Sequence, residues 1–232
     1  MDLKAINASL AGADAEEILA WALKTYPYQI GMMTSFQNSG LVLIDMIRRI
    51  AFGFPVFFID TGFHFPETLE FKARLIREWS LNVHTILPQM SRKRLEREHG
   101  PLLYERDPDL CCRINKVTPL DSLKKEIGLR NWISALRKDQ SETRRNLAPM
   151  MTDAEGNLRI HPLAGWTREK VWAYIRDHRL PYHPLYDQGY TSIGCFPRCC
   201  TSKNGLEGDE RAGRWRGKAK TECGLHEGMK KT

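Results

Sequence analysis

Six cysteines are the residues whose type and spacing point most directly to chemistry. Cys111 and Cys112 are adjacent, and a second group follows much later in the chain at Cys195, Cys199 and Cys200. Gly, Pro and Arg surround the second group, so burial of apolar side chains explains it poorly. Four thiolates fit either zinc or an iron–sulfur cluster, and the spacing leaves both open. Adjacent thiolates suit a cubane better, because each can bind a different iron corner. We therefore predict a metal centre.

A sixth cysteine stands apart, in the run Glu222-Cys223-Gly224-Leu225-His226 near the C-terminus. Its surroundings are polar and contain glycine, so we expect an exposed thiol on a mobile segment, the opposite of a structural cysteine. Such a thiol is suited to attack a bound substrate as a nucleophile. An incidental surface thiol is the alternative that the pattern leaves open.

Cations accompany these cysteines. Arginine offers fork-shaped, charge-assisted hydrogen bonds to phosphate or sulfate oxygens, and lysine offers a point charge. We expect an anionic substrate to be neutralised by Lys116, Arg137, Arg211 and Arg214. Lys116 stands one helical turn beyond Cys112 if that segment is helical. Arg144 and Arg145 are interpreted as solvated surface charges.

Two short loops follow apolar runs and have the composition of phosphate-binding loops. The first, Ser35-Phe36-Gln37-Asn38-Ser39-Gly40, leads into a predicted helix whose N-terminus presents N–H groups to an anion. The second, Asp60-Thr61-Gly62, has side chains that suit a ribose or a phosphate. Ordinary turn chemistry is the alternative for both. We assign to substrate binding Ser35, Phe36, Ser39, Gly40, Asp60, Thr61 and Gly62.

Strands and helices must position these residues, and they alternate along the chain. Apolar periodicity predicts helices at 13–24, 41–52, 66–79, 110–125 and 167–178 and strands at 30–35, 54–59, 82–87 and 131–136. Because such alternation is typical of doubly wound α/β folds, we predict a mostly parallel sheet. From about Gly189 the periodicity ends. We therefore predict an α/β domain over 1–202 and a flexible C-terminal tail over 203–232.

Composition narrows the class of protein. The chain has 232 residues, 42% of them hydrophobic, and a formal net charge of +7. This content excludes disorder over most of the chain, and the charge favours an anionic partner. The longest apolar runs, LVLIDMI and FPVFFI, are far short of the ~20 residues of a membrane helix, and the N-terminus lacks the pattern of a secretory signal. We expect a cytoplasmic protein whose cysteines are not a disulfide framework.

Taken in order, these residues resemble the iron–sulfur branch of the assimilatory adenylyl-sulfate reductase family. The resemblance extends from about Gly31 to His226. Its most specific motifs are Asp60-Thr61-Gly62, Phe65-Pro66-Glu67-Thr68, Cys111-Cys112 with Lys116 and Pro119-Leu120, His161-Pro162-Leu163, Tyr190-Thr191-Ser192-Ile193-Gly194-Cys195, Glu210-Arg211-Ala212-Gly213-Arg214-Trp215 and Glu222-Cys223-Gly224-Leu225-His226.

The resemblance implies an adenine nucleotide α-hydrolase-like fold and a 4Fe–4S cluster held by four cysteines. Three of them would be Cys111, Cys112 and Cys195. The family's second pair is usually Gly-Cys-x-Pro-Cys-Thr, whereas this chain has an extra residue and an extra cysteine there. Cys199 lies nearer the usual spacing and is the expected fourth ligand, and Cys200, which keeps the following threonine, is the alternative.

The resemblance also implies a reaction, part of sulfate assimilation and cysteine biosynthesis. Cys223 would attack the sulfur of adenylyl sulfate (APS), AMP would leave, and a thiosulfonate would form on the enzyme. Thioredoxin would then release sulfite and restore the thiol. The cluster would tune local electrostatics without changing its oxidation state, and His226 would bind the substrate. The predicted cations agree with this chemistry, because a thiolate that attacks an oxyanion meets repulsion unless positive charge cancels it.

Three other functions compete with this one. The closest is reduction of 3′-phosphoadenylyl sulfate (PAPS), which the branch without a cluster prefers. A tRNA-modifying ATP pyrophosphatase would share the sheet and the phosphate loop but would not need the C-terminal thiol. A zinc-bound nucleic-acid module has no use for that thiol either, and the basic residues lack interleaved aromatics. We expect no nucleic acid or membrane partner, and the sequence leaves the oligomeric state open.

Overall fold

The computed structural model describes residues 2–196, 199–203 and 209–225. Its helices include α1 (Leu3–Ser9), α2 (Ala15–Thr25), α3 (Asn38–Ile50), α4 (Pro66–Trp79), α5 (Arg92–His99), α6 (Leu103–Arg106), α7 (Pro108–Cys112), α8 (Thr118–Ile127) and α9 (Arg168–Asp177). Its strands include β1 (Ile30–Met33), β2 (Val56–Ile59), β3 (Val83–Ile86), β4 (Asn131–Ser134), β5 (Met150–Thr152), β6 (Leu158–Ile160), β7 (Tyr190–Ser192) and β8 (Ser202–Lys203). A π-helical segment, Arg113–Val117, joins α7 to α8.

Six strands form one sheet in the order β3-β2-β1-β4-β6-β5. Neighbouring strands pair in parallel, except that β5 and β6 are antiparallel. Within this sheet, β1 is central, β2 and β3 follow outward on one side of it, and β4 lies beside β1 on the opposite side. The connections of β1 and β4 therefore leave in opposite directions, and this opens a crevice at the carboxyl ends of the two strands. The predicted doubly wound, mostly parallel sheet is confirmed.

Each face of the sheet is covered by its own apolar cluster. Consecutive residues of a strand point to opposite faces. Phe58 accordingly joins the larger cluster, to which α2, α3, α4 and α9 contribute, and Phe57 joins a smaller one with Leu120 of α8. All four residues of β2 are buried, which is why its sequence is a continuous apolar run.

Several predicted elements are confirmed and others differ. The helix predicted at 66–79 has those bounds, and Thr167 caps α9 by accepting a hydrogen bond from the Lys170 N–H at 3.2 Å. The single helix expected over 110–125 consists of α7, the π-helical segment and α8 in succession. Helices α1, α5 and α6 and strands β5 to β8 were not predicted, because they are short or lack an apolar stripe.

β7 and β8 form a separate antiparallel pair in the stretch where no regular structure was expected. The predicted boundary between residues 202 and 203 falls inside β8. Beyond it, Trp215 is buried, so the described part of the C-terminal region packs on the body. Within the described ranges, the helices are all too short or too polar to cross a membrane.

Candidate active site

A cleft of about 210 Å³ is lined by the residues that follow β1 and β4. Most of the predicted site residues line it, although they come from distant parts of the chain: Ser35, Ser39, Gly40, Thr61, Lys116, Arg137, Cys195, Arg211, Arg214 and Cys223. The strand order explains this convergence, because the loops after the central strands face one crevice. Phe36, Asp60 and Gly62 are not among the lining residues.

The loop after β1 is built as expected, with one exception. The Thr34 hydroxyl accepts a hydrogen bond from the Phe36 N–H at 3.0 Å, and this turns the chain towards α3. A Cβ on Gly40 would lie 2.6 Å from that hydroxyl oxygen, so the turn requires a glycine there. Phe36 is the exception, because its side chain is buried in the larger apolar cluster. The loop therefore contributes Ser35, Ser39 and backbone groups to the cleft.

In the loop after β2, turn chemistry accounts for two of the three predicted residues. The Asp60 carboxylate accepts a hydrogen bond from the Gly62 N–H at 3.0 Å, and Gly62 has a φ of 73°. Both residues shape the turn, and neither lines the cleft. Thr61 does line it. Its hydroxyl oxygen lies 3.4 Å from the Cys195 sulfur and accepts a hydrogen bond from the Phe63 N–H at 3.2 Å.

Arg137 is buried and held by two carboxylates. Its guanidinium lies 2.9 Å from Asp139 and 2.8 Å from Glu210, and it also donates to the Ser39 hydroxyl. Burial acts to lower the pKa of Arg137, but the two carboxylates outweigh burial and raise it. Burial raises the pKa of Glu210. These contacts fix the position of the Arg137 guanidinium at the cleft, and the two carboxylates offset its charge. Glu210 also lines the cleft and was not among the predicted site residues.

A second charged group joins the cleft to the C-terminal segment. The Glu222 carboxylate pairs with Arg144 at 2.8 Å and with Arg211 at 2.9 Å. Arg214 donates instead to a serine hydroxyl of β7 at 3.0 Å. The expectation that Arg144 is solvated is wrong: it is 7% exposed, because Glu222 neutralises it. The side chain of Arg145 is 74% exposed, as expected.

The two groups of cysteines meet. Cys111, Cys112, Cys195 and Cys200 are buried in one apolar cluster, and Cys199 packs against it. The sulfurs of Cys199 and Cys200 lie 3.0 Å apart, and either thiol can donate a hydrogen bond to the other. Interactions with Cys112, Cys195 and Cys199 hold the pKa of Cys200 well below the usual value for a thiol.

The chemistry of this donor set fits a metal cluster, since soft thiolates are the ligands of iron–sulfur clusters and of zinc. In the ranges that the structure describes, no three His, Cys, Asp or Glu side chains already surround one ion position. A small cavity lies between the five cysteines, Asn115 and Lys116. Burial alone would lower the pKa of Lys116, but the neighbouring thiolates raise it well above its usual value. A cation beside the sulfurs favours the thiolates that a metal cluster requires.

Cys223 is buried, so the expectation of an exposed thiol is wrong. It is 9% exposed, it lines the cleft, and it belongs to the same apolar cluster as the other cysteines. Glu222 and Lys220 hold the segment that carries it, the latter by an ion pair with Asp109. The polarity of its neighbours in sequence was a poor guide, because the contacts that bury it come from across the cleft. His226, expected beside the substrate, lies outside the described residues.

Buried polar atoms without a hydrogen-bond partner in the described structure mark places where a ligand would bind. They include both polar side-chain atoms of Asn38, the Nε1 of Trp132 and the Nε of Arg211. All three residues line the cleft. Because buried polar atoms normally have partners, these atoms suit a polar ligand. Neither Trp132 nor Asn38 was among the predicted site residues.

Comparison with known proteins gives concordant findings. Residues 29–203 match the family model described as "Phosphoadenosine phosphosulfate reductase domain". The adenosine 5′-phosphosulfate reductase of Halalkalibacterium halodurans is 40% identical over 230 residues, covering 98% of this chain and 97% of that protein. The phosphoadenosine 5′-phosphosulfate reductase of Gloeobacter violaceus is 41% identical over 213 residues, covering 91% of this chain and 88% of that protein.

A solved structure is similar in fold. The phosphoadenylyl-sulfate reductase of Candida auris, crystallised as a phosphate complex, superposes with a TM-score of 0.75 at 30% sequence identity. The superposition covers 84% of this chain and 94% of that chain. Similarity in sequence and in fold thus extends over most of the chain.

Proposed function

Since the chain belongs to the phosphoadenosine phosphosulfate reductase domain family, we propose that it reduces APS to sulfite and AMP in sulfate assimilation, with thioredoxin as the reductant and in the cytoplasm. One observation carries the proposal: the buried thiol of Cys223 lies in the same cleft as Lys116, Arg211 and Arg214. A nucleophilic sulfur surrounded by cations suits an oxyanion substrate.

The reaction combines a displacement at sulfur with thiol–disulfide exchange. The Cys223 thiolate attacks the sulfate sulfur of APS, so that an S–S bond forms, the S–O bond to the phosphate breaks, and AMP leaves. A thioredoxin thiolate then attacks the Cys223 sulfur and releases sulfite. The second thioredoxin thiol resolves the mixed disulfide, and thioredoxin is left oxidised by two electrons. No second cysteine stands beside Cys223 in the sequence to resolve the intermediate, so an external dithiol completes the cycle.

The cations lower the barrier to the first step. A thiolate and a sulfate group repel each other, and positive charge placed beforehand in a cleft offsets this repulsion without reorganising. Arg211 and Arg214 offer guanidinium groups at the cleft, and Lys116 offers an ammonium group beside the cysteines. Arg137, whose charge two carboxylates balance, is suited to orient the substrate through hydrogen bonds.

In this proposal, a 4Fe–4S cluster is held by Cys111, Cys112, Cys195 and one further cysteine. Sequence spacing favours Cys199 as the fourth ligand. Burial favours Cys200, because it is 2% exposed and belongs to the same apolar cluster as the other three ligands, whereas Cys199 packs against that cluster from outside. When bound, the cluster would tune the electrostatics of the adjacent cleft without a change in its oxidation state.

Substitution of the nucleophile tests the proposal. Cys223→Ser should abolish sulfite release from APS and thioredoxin and leave nucleotide binding intact, because serine keeps the shape of the side chain but not the thiolate. Mass spectrometry of the unaltered enzyme mixed with APS should find an added SO₃ on the peptide that contains Cys223. Undiminished sulfite release by the variant, or an adduct on another side chain, would refute the mechanism.

Reduction of PAPS is the second candidate, because relatives of similar identity bear both names. We favour APS, since the paired cysteines resemble those of the branch that contains a cluster. The ratio of kcat/KM for the two nucleotides, measured on one preparation of the enzyme, decides between them.

A further inference from the structure

Glu222 directly precedes the proposed nucleophile and pairs with two arginines that line the cleft, Arg144 and Arg211. We propose that Glu222 is a positioning residue: its ion pairs with Arg144 and Arg211 hold the C-terminal segment in the cleft and so place the Cys223 thiol against the substrate. This inference rests on the proposed function of Cys223 and extends it to the residues that govern its position.

The carboxylate of Glu222 is bonded through both oxygens. Its Oε1 accepts hydrogen bonds from Arg144 Nε at 2.8 Å and from the Thr143 hydroxyl at 3.2 Å. Its Oε2 accepts from the second nitrogen of the Arg144 fork and from Arg211, each at 2.9 Å. Two-point pairing with one arginine fixes the orientation of the carboxylate as well as its position.

Burial raises the energetic cost of losing one of these ion pairs. The side chains of Glu222, Arg144 and Arg211 are 12%, 7% and 9% exposed. An exposed ion pair contributes little, but removing one partner of a buried pair leaves an uncompensated charge in a poorly solvated place. Loss of either ion pair of the segment should therefore be costly, unlike loss of the largely exposed pair of Arg145 with Glu142.

The ion pairs act on the tail at more than one point. Besides Glu222, Arg211 donates a hydrogen bond to the Thr221 carbonyl at 2.9 Å. Lys220 adds an ion pair with Asp109, which stands two residues before Cys111. The segment is thus fixed on both the side of the cleft and the side of the cysteine cluster, and Gly224 follows with a φ of 84°, a backbone conformation that suits glycine.

Arg211 links the tail to the substrate. The same guanidinium that binds Glu222 lines the cleft, and its Nε has no hydrogen-bond partner among the described residues. A substrate oxygen bound there would share one cation with the tail. Two cations facing one carboxylate also leave net positive charge for the anionic substrate.

The arrangement has a kinetic consequence. With the ion pairs intact, Cys223 faces the substrate and a protein dithiol has little access to it. The pairs must break before thioredoxin can reach the thiosulfonate. Weakening them should therefore slow adduct formation and expose the thiol, while the reductive half of the cycle is spared.

The test measures the reactivity of Cys223 in the resting enzyme. Arg144→Gln and Glu222→Gln should each raise the rate of Cys223 alkylation by iodoacetamide about tenfold or more, because the first removes the two-point ion pair of Glu222 and the second removes both of its ion pairs. Arg144→Lys keeps the charge but not the two-point pairing, so its alkylation rate should lie between those of Arg144→Gln and the unaltered protein. Arg145→Gln is the matched control and should leave the rate unchanged. Quantitative mass spectrometry reads each cysteine-containing peptide separately.

The alkylation rate of Cys111 serves as the internal reference, because it would also rise if the variant destabilised the whole site. A rise at Cys223 with no rise at Cys111, together with slower SO₃ adduct formation in a single turnover, supports the inference. Equal rises at both cysteines, or no rise in either glutamine variant, overturns it. Alkylation needs no substrate, so failure of the proposed function would instead appear as absence of the adduct in the parent enzyme.

Discussion

Cys199 and Cys200 are adjacent in sequence and differ in surroundings. Cys200 is buried in the apolar cluster that contains Cys112 and Cys195, whereas Cys199 is partly exposed. A ligand of a buried cluster must reach the place where the other sulfurs converge. We therefore expect Cys200 to be the fourth ligand of the proposed cluster.

The first prediction distinguishes these two residues. Cys200→Ser should lose bound iron and the absorption at roughly 400 nm that is typical of iron–sulfur proteins, because it removes the central sulfur. Cys199→Ser should keep both and serves as the matched control. Iron analysis and the visible spectrum of the purified variants provide the measurement. Loss of iron from the Cys199 variant alone would assign the fourth ligand to Cys199.

The site could be predicted from the sequence wherever residue chemistry is specific. The cysteines and the cations Lys116, Arg211 and Arg214 line the cleft or its cavity as predicted. Glu210 and Glu222 could not be predicted, because the role of a carboxylate depends on which cation lies across the fold from it. Their signal in the sequence was that each directly precedes a predicted site residue, within a motif of the family resemblance.

Among the elements, the β7–β8 pair flanks a close backbone contact between two cysteine-bearing segments. A Cβ on Gly194 would lie 2.0 Å from the backbone oxygen of Cys200, closer than any side chain can approach. The pairing of Ser192 with Ser202 fixes the two strands on either side of this contact. Gly194 thus allows the chain that carries Cys200 to approach Cys195.

The second prediction follows from this contact. Gly194→Ala must displace the backbone at Cys200 and should lower the iron content of the purified protein severalfold while leaving the sheet intact. Gly165→Ala is the control, because a Cβ there meets no atom within 4 Å. Iron per chain and the far-UV circular dichroism spectrum measure the two effects. Full iron content in the Gly194 variant would contradict the proposed placement of Cys200.

Elements could be predicted where the apolar pattern was strong. α4 has an apolar face and begins with Pro66, so its bounds were predicted correctly. α5 was missed because Leu95 is its one buried residue. β5 and β6 have three residues each, too few for an alternation to be visible. The π-helical segment has no sequence signature, since the flanking residues suit an α-helix equally well.

At the scale of the whole molecule, His183 joins distant parts of the chain. It is buried, and its Nδ1 accepts a hydrogen bond from the Leu185 N–H at 3.3 Å. Its Nε2 therefore carries the proton and donates to the Thr68 hydroxyl of α4, with the two atoms 2.9 Å apart. Burial, and then repulsion from His64, lower the pKa of His183 to about 4.

The third prediction concerns stability against pH. Between the ordinary pKa of about 6.5 and the lowered value of about 4, the unfolded chain binds a proton at His183 that the folded protein does not. His183 therefore makes stability rise with pH in this window, and its contribution of roughly 3 kcal/mol should be lost as the pH is lowered through it. Chemical denaturation at several pH values measures the change.

Two histidine variants complete that experiment. His183→Gln should be less stable near neutral pH, and its free energy of unfolding should depend less on pH between about 4 and 6.5. His178→Gln, at an exposed position, should retain the slope of the parent protein. A His183 variant with the full slope would show that other groups govern acid unfolding.

The burial of Cys223 affects how readily its thiol is oxidised. Thiols are damaged when peroxides convert them to sulfinic or sulfonic acids, and susceptibility follows accessibility. Cys223 is 9% exposed, so peroxides should reach its sulfur less readily than they reach a surface thiol. In the proposed mechanism, oxidative damage to this thiol is therefore expected mainly during the interval in which its segment leaves the cleft.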